Sequence, residues 1–378
     1  MSPRVRKGLR LSLRIGFALL FSFVLLEAGL HLSGYKGAYG YQHPDPHFRW
    51  LLKPGYSSSS EHSVVRINAL GLRGKEVDPK KPAGTLRVAC MGDSCTFGPD
   101  GKNAAPPYPE TLESILLETT GAKGPRWETI NAGIPGYSSF LGLRYYRERI
   151  APLSPDIVTL YFGWNDHWIN FNEKTDSEHV DSLRARLGGL RSANLLKAWL
   201  MRSQQPDAIH DPKPHVPAGP PGSARPGSDP NLPDFDKVRV PPEDYRRTLV
   251  EFVQEIRKTG ARPILLTAPI AVDEKWGGGL LPYIAGGTQV RRLPVECYLA
   301  LHLRYVSITR EVAASERCEC VDLEALFGKR ERHRLFDSPA GDPIHANAEG
   351  MRLIAEAIAD RILKAQGGIQ ETEDRREE

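Results

Sequence analysis

The sequence predicts an α/β protein: a three-layer α/β/α sandwich built on a mainly parallel sheet of about five strands. Three observations carry this. Continuous apolar runs at 87–91, 156–162 and 263–268, with a weaker one at 320–323, read as strands buried on both faces. Helical stretches near 109–120, 138–150, 243–259, 295–315 and 348–365 fall around and between them, the alternation that yields a parallel sheet covered on both sides. Turns bearing Gly or Asn close three of the strands, where such sheets place their sites.

The chain opens with Arg4, Arg6, Lys7, Arg10 and Arg14, which together exceed the whole net charge of +4. The rest is therefore near neutral, and the charge marks the N-terminus rather than a nucleic-acid surface. Ile15 to Leu32 is almost wholly apolar, and as a helix would span about 27 Å, close to the thickness of a bilayer core. The flanking cations favour a cytoplasmic N-terminus. We take residues 15–33 as a single signal-anchor helix after a basic cytoplasmic segment, 1–14. A cleaved signal peptide and a buried helix are the rival readings; the run is long for a signal peptide, and no clear small-x-small site comes after it. Both the anchor and the signal peptide would export the rest of the chain, from residue 34 onward, out of the cytoplasm.

Residues 34–84 alternate turn signals with short apolar runs and read as a small β-rich extension. Val64-Val65-Arg66-Ile67-Asn68 is its strand, and Asn68 to Gly74 turns away from it. Ser57 to Ser60 reads as a loop. The main domain is expected over 85–366. Within it, 204–242 is dense in Pro and Gly and nearly free of aromatics, the composition of a flexible insertion. Its place in the chain permits a lid or an idle surface loop. The final helix carries Met351, Leu353, Ile354, Ala357, Ile358, Ile362 and Leu363 at helical spacing, with Asn347 as N-cap. A charged tail, 367–378, is expected to be disordered.

Five cysteines are too few for a disulfide framework and odd in number. Cys90 and Cys95 read as small core residues. Cys297, Cys318 and Cys320 leave one bridge, or free thiols, open. The Cys-x-Cys pair lacks third and fourth ligands nearby, so no metal is expected.

Chemistry concentrates at two distant points. Gly92-Asp93-Ser94 ends the first apolar run, and Asp342-Pro343-Ile344-His345 lies near the other end of the chain. A serine hydroxyl needs a base to take its proton, and a histidine base works best when a carboxylate fixes its tautomer. The two segments suggest a Ser-His-Asp centre closed by folding. Between them, Asn131-Ala132-Gly133-Ile134-Pro135-Gly136 and Gly163-Trp164-Asn165-Asp166 each come after a strand-like run, and their N–H groups and amide suit a developing oxyanion.

In this order the four segments resemble the SGNH hydrolases, the GDSL-type esterases and lipases, over roughly residues 85 to 366, in their membrane-anchored bacterial form. The resemblance implies a flavodoxin-like fold, with Ser94 as nucleophile, His345 as general base and Asp342 as its orienter. It gives the oxyanion hole to the Ser94 N–H, the Gly136 N–H and the Asn165 side chain; Gly136 is preferred to Gly133 because the family glycine falls five residues after the block's asparagine. Cys95 departs from the leucine that many relatives carry there. The activity implied is hydrolysis of carboxylic esters of short acyl chains, acetyl included, through an acyl-enzyme, with no cofactor, on a small-molecule ester, lipid or acylated carbohydrate outside the inner membrane. Two other functions stay open: O-acetyl transfer to an envelope polysaccharide by the same triad, and a non-enzymatic binding protein of the same fold.

Nearby residues have plainer readings beside their chemical ones. Trp164, His167 and Trp168 are candidate substrate contacts, against core packing for the tryptophans and a solvated surface position for His167. Asp93 with Asp166 or Asp342 forms a carboxylate pair of the kind glycosidases use, but a loop-bracing role for Asp93 is preferred. Arg73 and Arg144 read as solvated charges.

Overall fold

The computed structural model describes residues 3–33, 41–45, 47–60, 63–99, 105–122, 124–169, 175–180, 238–273, 280–285, 289–338 and 341–377. It divides into two compact units, Met1–Lys53 with His179–Pro212, and Pro54–Glu178 with Lys213–Glu378.

The first unit contains helix α1 (Pro3–Leu32) and an antiparallel hairpin of β1 (Gln42–Asp45) and β2 (Arg49–Leu52). Ser12–Leu30 of α1 is long and apolar enough to cross a membrane, and Phe17, Leu19, Leu20 and Phe21 stand exposed along it.

The second unit begins with a hairpin of β3 (Ser57–Ser60) and β4 (Ser63–Arg66). The serine tract is therefore a strand, not the loop its composition suggests: Ser58 and Ser59 pair with Val65 and Val64, and the partner strand supplies the apolar side. The chain then enters the central sheet with β5 (Thr85–Gly92), followed by α2 (Ser94–Phe97), α3 (Tyr108–Thr120) and β6 (Arg126–Gly133). Helix α4 (Ser139–Tyr145) runs through a π turn, Tyr146–Ile150, toward β7 (Ile157–Tyr161). After α5 (Asp176–Val180) come α6 (Pro242–Lys258) and β8 (Arg262–Leu266). A hairpin of β9 (Leu280–Ala285) and β10 (Gln289–Pro294) precedes α7 (Val295–Ser315) and β11 (Glu319–Val321). The chain ends through α8 (Leu323–Gly328), the β12 (Phe336–Ser338) and β13 (Asp342–Ala346) hairpin, and α9 (Ala348–Glu377).

The five-stranded sheet has the order β11-β8-β7-β5-β6, with every pairing parallel. Renumbered within the sheet this is 2-1-3-4-5, the flavodoxin-like order. The expected α/β class and strand count are met. Every residue of β7 is buried, and in β5 only Leu86 is partly exposed, as strands covered on both faces require. Helix α6 shows how the cover forms: Tyr245, Leu249, Phe252, Val253 and Ile256 line one buried stripe, with Glu243 and Asp244 in the first turn and Arg257 and Lys258 in the last, each complementing the helix dipole.

The chain leaves β5 toward β6 on one side and returns to β7 on the other, so the crevice of this sheet lies at the carboxyl ends of β5, β6 and β7. Gly92 closes β5 there without a side chain for a steric reason. A Cβ at this position would lie 2.0 Å from Thr96 Oγ1 and 2.7 Å from the Tyr161 carbonyl oxygen. Gly92→Ala is expected to lower unfolding free energy by about 3 kcal/mol, the upper range for overpacking, as read from urea denaturation; an unchanged midpoint would refute the close approach.

The flexible insertion expected over 204–242 lies outside the described residues up to 237; its last residues join α6. The tail expected to be disordered continues α9 to Glu377. Its Glu, Arg and Gln residues are good helix formers, and charge alone does not end a helix. The expected cap at Asn347 is formed, its Oδ1 accepting from the Glu349 and Gly350 N–H groups at 3.0 and 3.1 Å. Cys90, Cys95, Cys318 and Cys320 are free thiols.

Candidate active site

Four chain segments meet at the crevice. Ser94 is separated from the end of β5 by Asp93 alone and starts α2, so its backbone N–H belongs to the first turn of that helix. Asp93 caps the turn, its Oδ1 accepting from the Cys95 N–H at 2.9 Å. Asp342 and His345 lie on β13, which packs against β12 and closes on α2 from the far end of the sequence.

The two halves are joined by hydrogen bonds. His345 Nε2 lies 2.8 Å from Ser94 Oγ, and His345 Nδ1 lies 2.7 Å from Asp342 Oδ2. Asp342 Oδ1 also accepts from the Ile344 and His345 backbone N–H groups at 3.1 and 3.2 Å, which fixes the carboxylate to its own strand. The side chains of His345 and Asp342 are 41% and 45% exposed, so this edge is open to a reactant. Desolvation raises the Asp342 pKa, but the hydrogen bond and charge of His345 and the two backbone donors outweigh it and hold the carboxyl below its ordinary value.

Asn165 follows β7 and is buried, and its Nδ2 donates to Asp93 Oδ2 at 2.8 Å. Asp93 thus takes the bracing role expected of it. Burial raises its pKa, opposed by the donors on Cys95 and Asn165 and by the nearby His345. Shut in and doubly engaged, it is no match for a solvent-facing acid of a glycosidase pair. Gly136 ends the loop after β6 with a φ of +84°, in the left-handed region that glycine occupies without strain. Cys95 is buried against the Ile344 carbonyl, and burial pushes its thiol well above the usual range, so it is no rival nucleophile.

The surrounding aromatics correct the sequence reading. Trp164 and His167 are 1% and 0% exposed and offer no face to a substrate; His167 is not the surface residue expected. Trp164 stacks on His302 at 3.9 Å between ring centroids, and His167 Nε2 meets His302 Nδ1 at 3.3 Å. His302 Nε2 reaches the Ala268 carbonyl oxygen at 2.8 Å. Desolvation drives both histidines toward neutrality, His302 to about 4. Trp168 alone of the three candidate contacts is partly exposed.

Arg73 is likewise not a solvated charge. Only 8% exposed, it donates from Nη1 to the Phe97 and Gly98 carbonyls at 2.8 and 2.7 Å and from Nη2 to Pro99 at 2.6 Å, and its guanidinium lies over the Phe97 ring. Its backbone bridges both Ile67 and Asn131. Arg144 is the partly exposed charge expected, near Glu148.

Several bracing residues were not foreseen. Asp166, considered only as a second acid, accepts from the Ser139 N–H at 2.9 Å, Ser139 Oγ at 2.5 Å and the Gly163 N–H at 3.0 Å, and burial pushes its carboxyl up to about 7. Arg239 pairs with Asp176 at 2.8 Å and donates to the Gly136 carbonyl at 2.8 Å. A lone arginine beside a Pro/Gly-rich stretch gave no signal. The Ser138-Ser139 pair before a helical run was the one visible cue. Among the described residues no group of three His, Cys, Asp or Glu side chains is arranged to hold a metal.

The family model for GDSL-like lipases and acylhydrolases matches residues 90–353. The chain belongs to this family. The resemblance read from its four blocks holds. The chain is 33% identical over 131 residues to the uncharacterised lipoprotein YqeF of Bacillus subtilis (strain 168), a match that covers 33% of this chain and 54% of that protein. The chain thus spans about half the length of the curated relative it matches. Similar solved structures include the lipase/acylhydrolase from Enterococcus faecalis, with 17% identity, a TM-score of 0.42, and coverage of 73% of this chain and 95% of that one. Another is a catalytic mutant of Axe2, an acetylxylan esterase from Geobacillus stearothermophilus, with 16% identity, a TM-score of 0.44, and coverage of 75% and 96%.

Proposed function

We propose that this GDSL-family hydrolase works as a serine esterase with Ser94, His345 and Asp342 as its triad. The observation that carries the reading is the unbroken hydrogen-bond chain from Ser94 Oγ through His345 to Asp342, at 2.8 and 2.7 Å. Ser94 Oγ attacks the ester carbonyl carbon as His345 Nε2 takes its proton. The carbonyl oxygen becomes an oxyanion facing the N–H groups of Ser94 and Gly136 and the Asn165 amide. An amide nitrogen has two hydrogens; with one on Asp93, the second is directed to the oxyanion. His345 then protonates the leaving alcohol, and water, activated by the same histidine, releases the acid.

The substrate proposed is a short-chain carboxylic ester, acetyl included, carried on a lipid or carbohydrate outside the cytoplasm. The polar, half-exposed edge at His345 and Asp342 supports a substrate that approaches from solvent. The apolar stretch of α1, with basic residues before it, supports a single-pass anchor in the inner membrane, with the β-rich lead-in and hydrolase domain beyond it.

The test is hydrolysis of p-nitrophenyl esters from acetyl to octanoyl by the purified full chain, with and without a polysaccharide acceptor. Release highest at acetyl supports the reading. A peak at octanoyl moves it to a lipase, and acyl gain by the polysaccharide moves it to a transferase. In the same assay Asn165→Ala is expected to lower kcat by about 10²–10³-fold, the effect of losing one oxyanion donor; unchanged turnover removes Asn165 from the site.

A further inference from the structure

The direction of the Gly136 N–H is not decided by its own turn. The Tyr137 N–H donates to the Ile134 carbonyl at 3.0 Å, Pro135 holds the second position and Gly136 the third with a φ of +84°, a type II arrangement. Half a rotation of the peptide between Pro135 and Gly136 turns type II into type I, with negative φ at Gly136 and its N–H reversed. Glycine tolerates both.

The flanks of the turn are held from outside. Arg239 Nη1 donates to the Gly136 carbonyl at 2.8 Å. Its Nη2 and Nε reach Asp176 Oδ2 at 2.8 and 3.2 Å, and the same oxygen accepts from Ser138 Oγ at 2.6 Å. Ser138 in turn caps α4. The pair is inside the protein, Arg239 7% and Asp176 0% exposed, where removing one member leaves the other uncompensated. The segment around Arg239 also grips the neighbouring turn. The Arg239 N–H donates to the Trp168 carbonyl at 2.7 Å and the Val240 N–H to the Asp166 carbonyl at 2.9 Å. The loops bearing Gly136 and Asn165 are thus tied to the same short stretch of chain.

We propose that Arg239, through its buried pairing with Asp176, is a positioning residue that sets the Gly136 N–H toward the oxyanion. This rests on the triad reading above. Arg239 touches no reacting atom; it removes the freedom of the turn that does.

The test compares p-nitrophenyl acetate with its thionoester in the full chain. Sulfur accepts hydrogen bonds weakly, so the oxoester-to-thionoester ratio of kcat/KM reads the oxyanion donors themselves. Arg239→Gln is expected to lower kcat on the oxoester by about 10–10²-fold, short of the full loss of a donor. KM and the pH profile should hold, the ratio should shrink, and Arg239→Lys should restore part of it. A folded Arg239→Gln with the wild-type ratio, or a loss confined to KM, overturns the proposal. If Arg239→Gln does not fold, Ser138→Ala decides: it keeps the ion pair but frees one flank, and an unchanged ratio there overturns the proposal. Ser94→Ala is run in parallel. If it retains activity the triad reading fails and takes the proposal with it; if it is inactive and the ratios are unchanged, only the positioning role falls.

Discussion

Ser94→Ala is expected to lower ester turnover by about 10⁵–10⁶-fold, the scale seen when a serine nucleophile is removed from an intact triad. Hydrolysis left over would come from binding and the oxyanion donors alone. No neighbour can stand in: Cys95 is buried as a neutral thiol, and Asp93 is engaged by Cys95 and Asn165. The fold should be little affected, since Ser94 loses one partly exposed hydrogen bond to His345, a contribution of about 1 kcal/mol. The measurement is steady-state hydrolysis of p-nitrophenyl acetate alongside a thermal melt. A variant that melts like the wild type and hydrolyses at the wild-type rate would remove Ser94 from the chemistry.

Asp342→Asn should come next in size, about 10⁴-fold, for the reason that applies to any such triad. An asparagine amide donating to His345 Nδ1 would leave the ring's hydrogen on Nε2, facing Ser94 Oγ, where a lone pair is needed. The pH behaviour follows from the depressed carboxyl. Asp342 is ionised across neutral pH, so its own titration does not shape the rate profile there. A carboxyl whose folded pKa lies below its unfolded one contributes stability above the unfolded value, and that contribution is lost as pH falls through the folded value. The wild type should therefore exceed Asp342→Asn in urea midpoint at about pH 7, and the gap should narrow as pH falls below the unfolded carboxyl value of about 3.9. A gap that widens on acidification would contradict the assigned interaction.

What the sequence revealed and what it hid divide on physical lines. Strands β5, β7 and β8 were legible because burial on both faces leaves an unbroken apolar run. The turns that carry Ser94, Gly136 and Asn165 were legible because small or amide residues mark the carboxyl ends of these strands. The missing pieces are polar contacts between residues far apart in the chain. Arg239 and Asp176 stand 63 positions apart, and His167 and His302 stand 135 apart. Neither member of either pair carries a local pattern. Arg73 misled for a related reason: a cation is solvated by default, and only folding supplied three carbonyl oxygens to receive it. The serine tract of β3 misled because a hairpin strand can draw its apolar side from its partner.

The position of Arg73 has a bearing on where this protein can be divided. Its guanidinium binds the three carbonyls that come after the Ser94 turn, and its backbone joins the lead-in to β6. A soluble form begun at Thr85, the first residue of the sheet, would discard this brace and leave those carbonyls to water. The segment around Arg73 therefore supports the Ser94 turn rather than serving as a spacer, and a soluble form has to keep it.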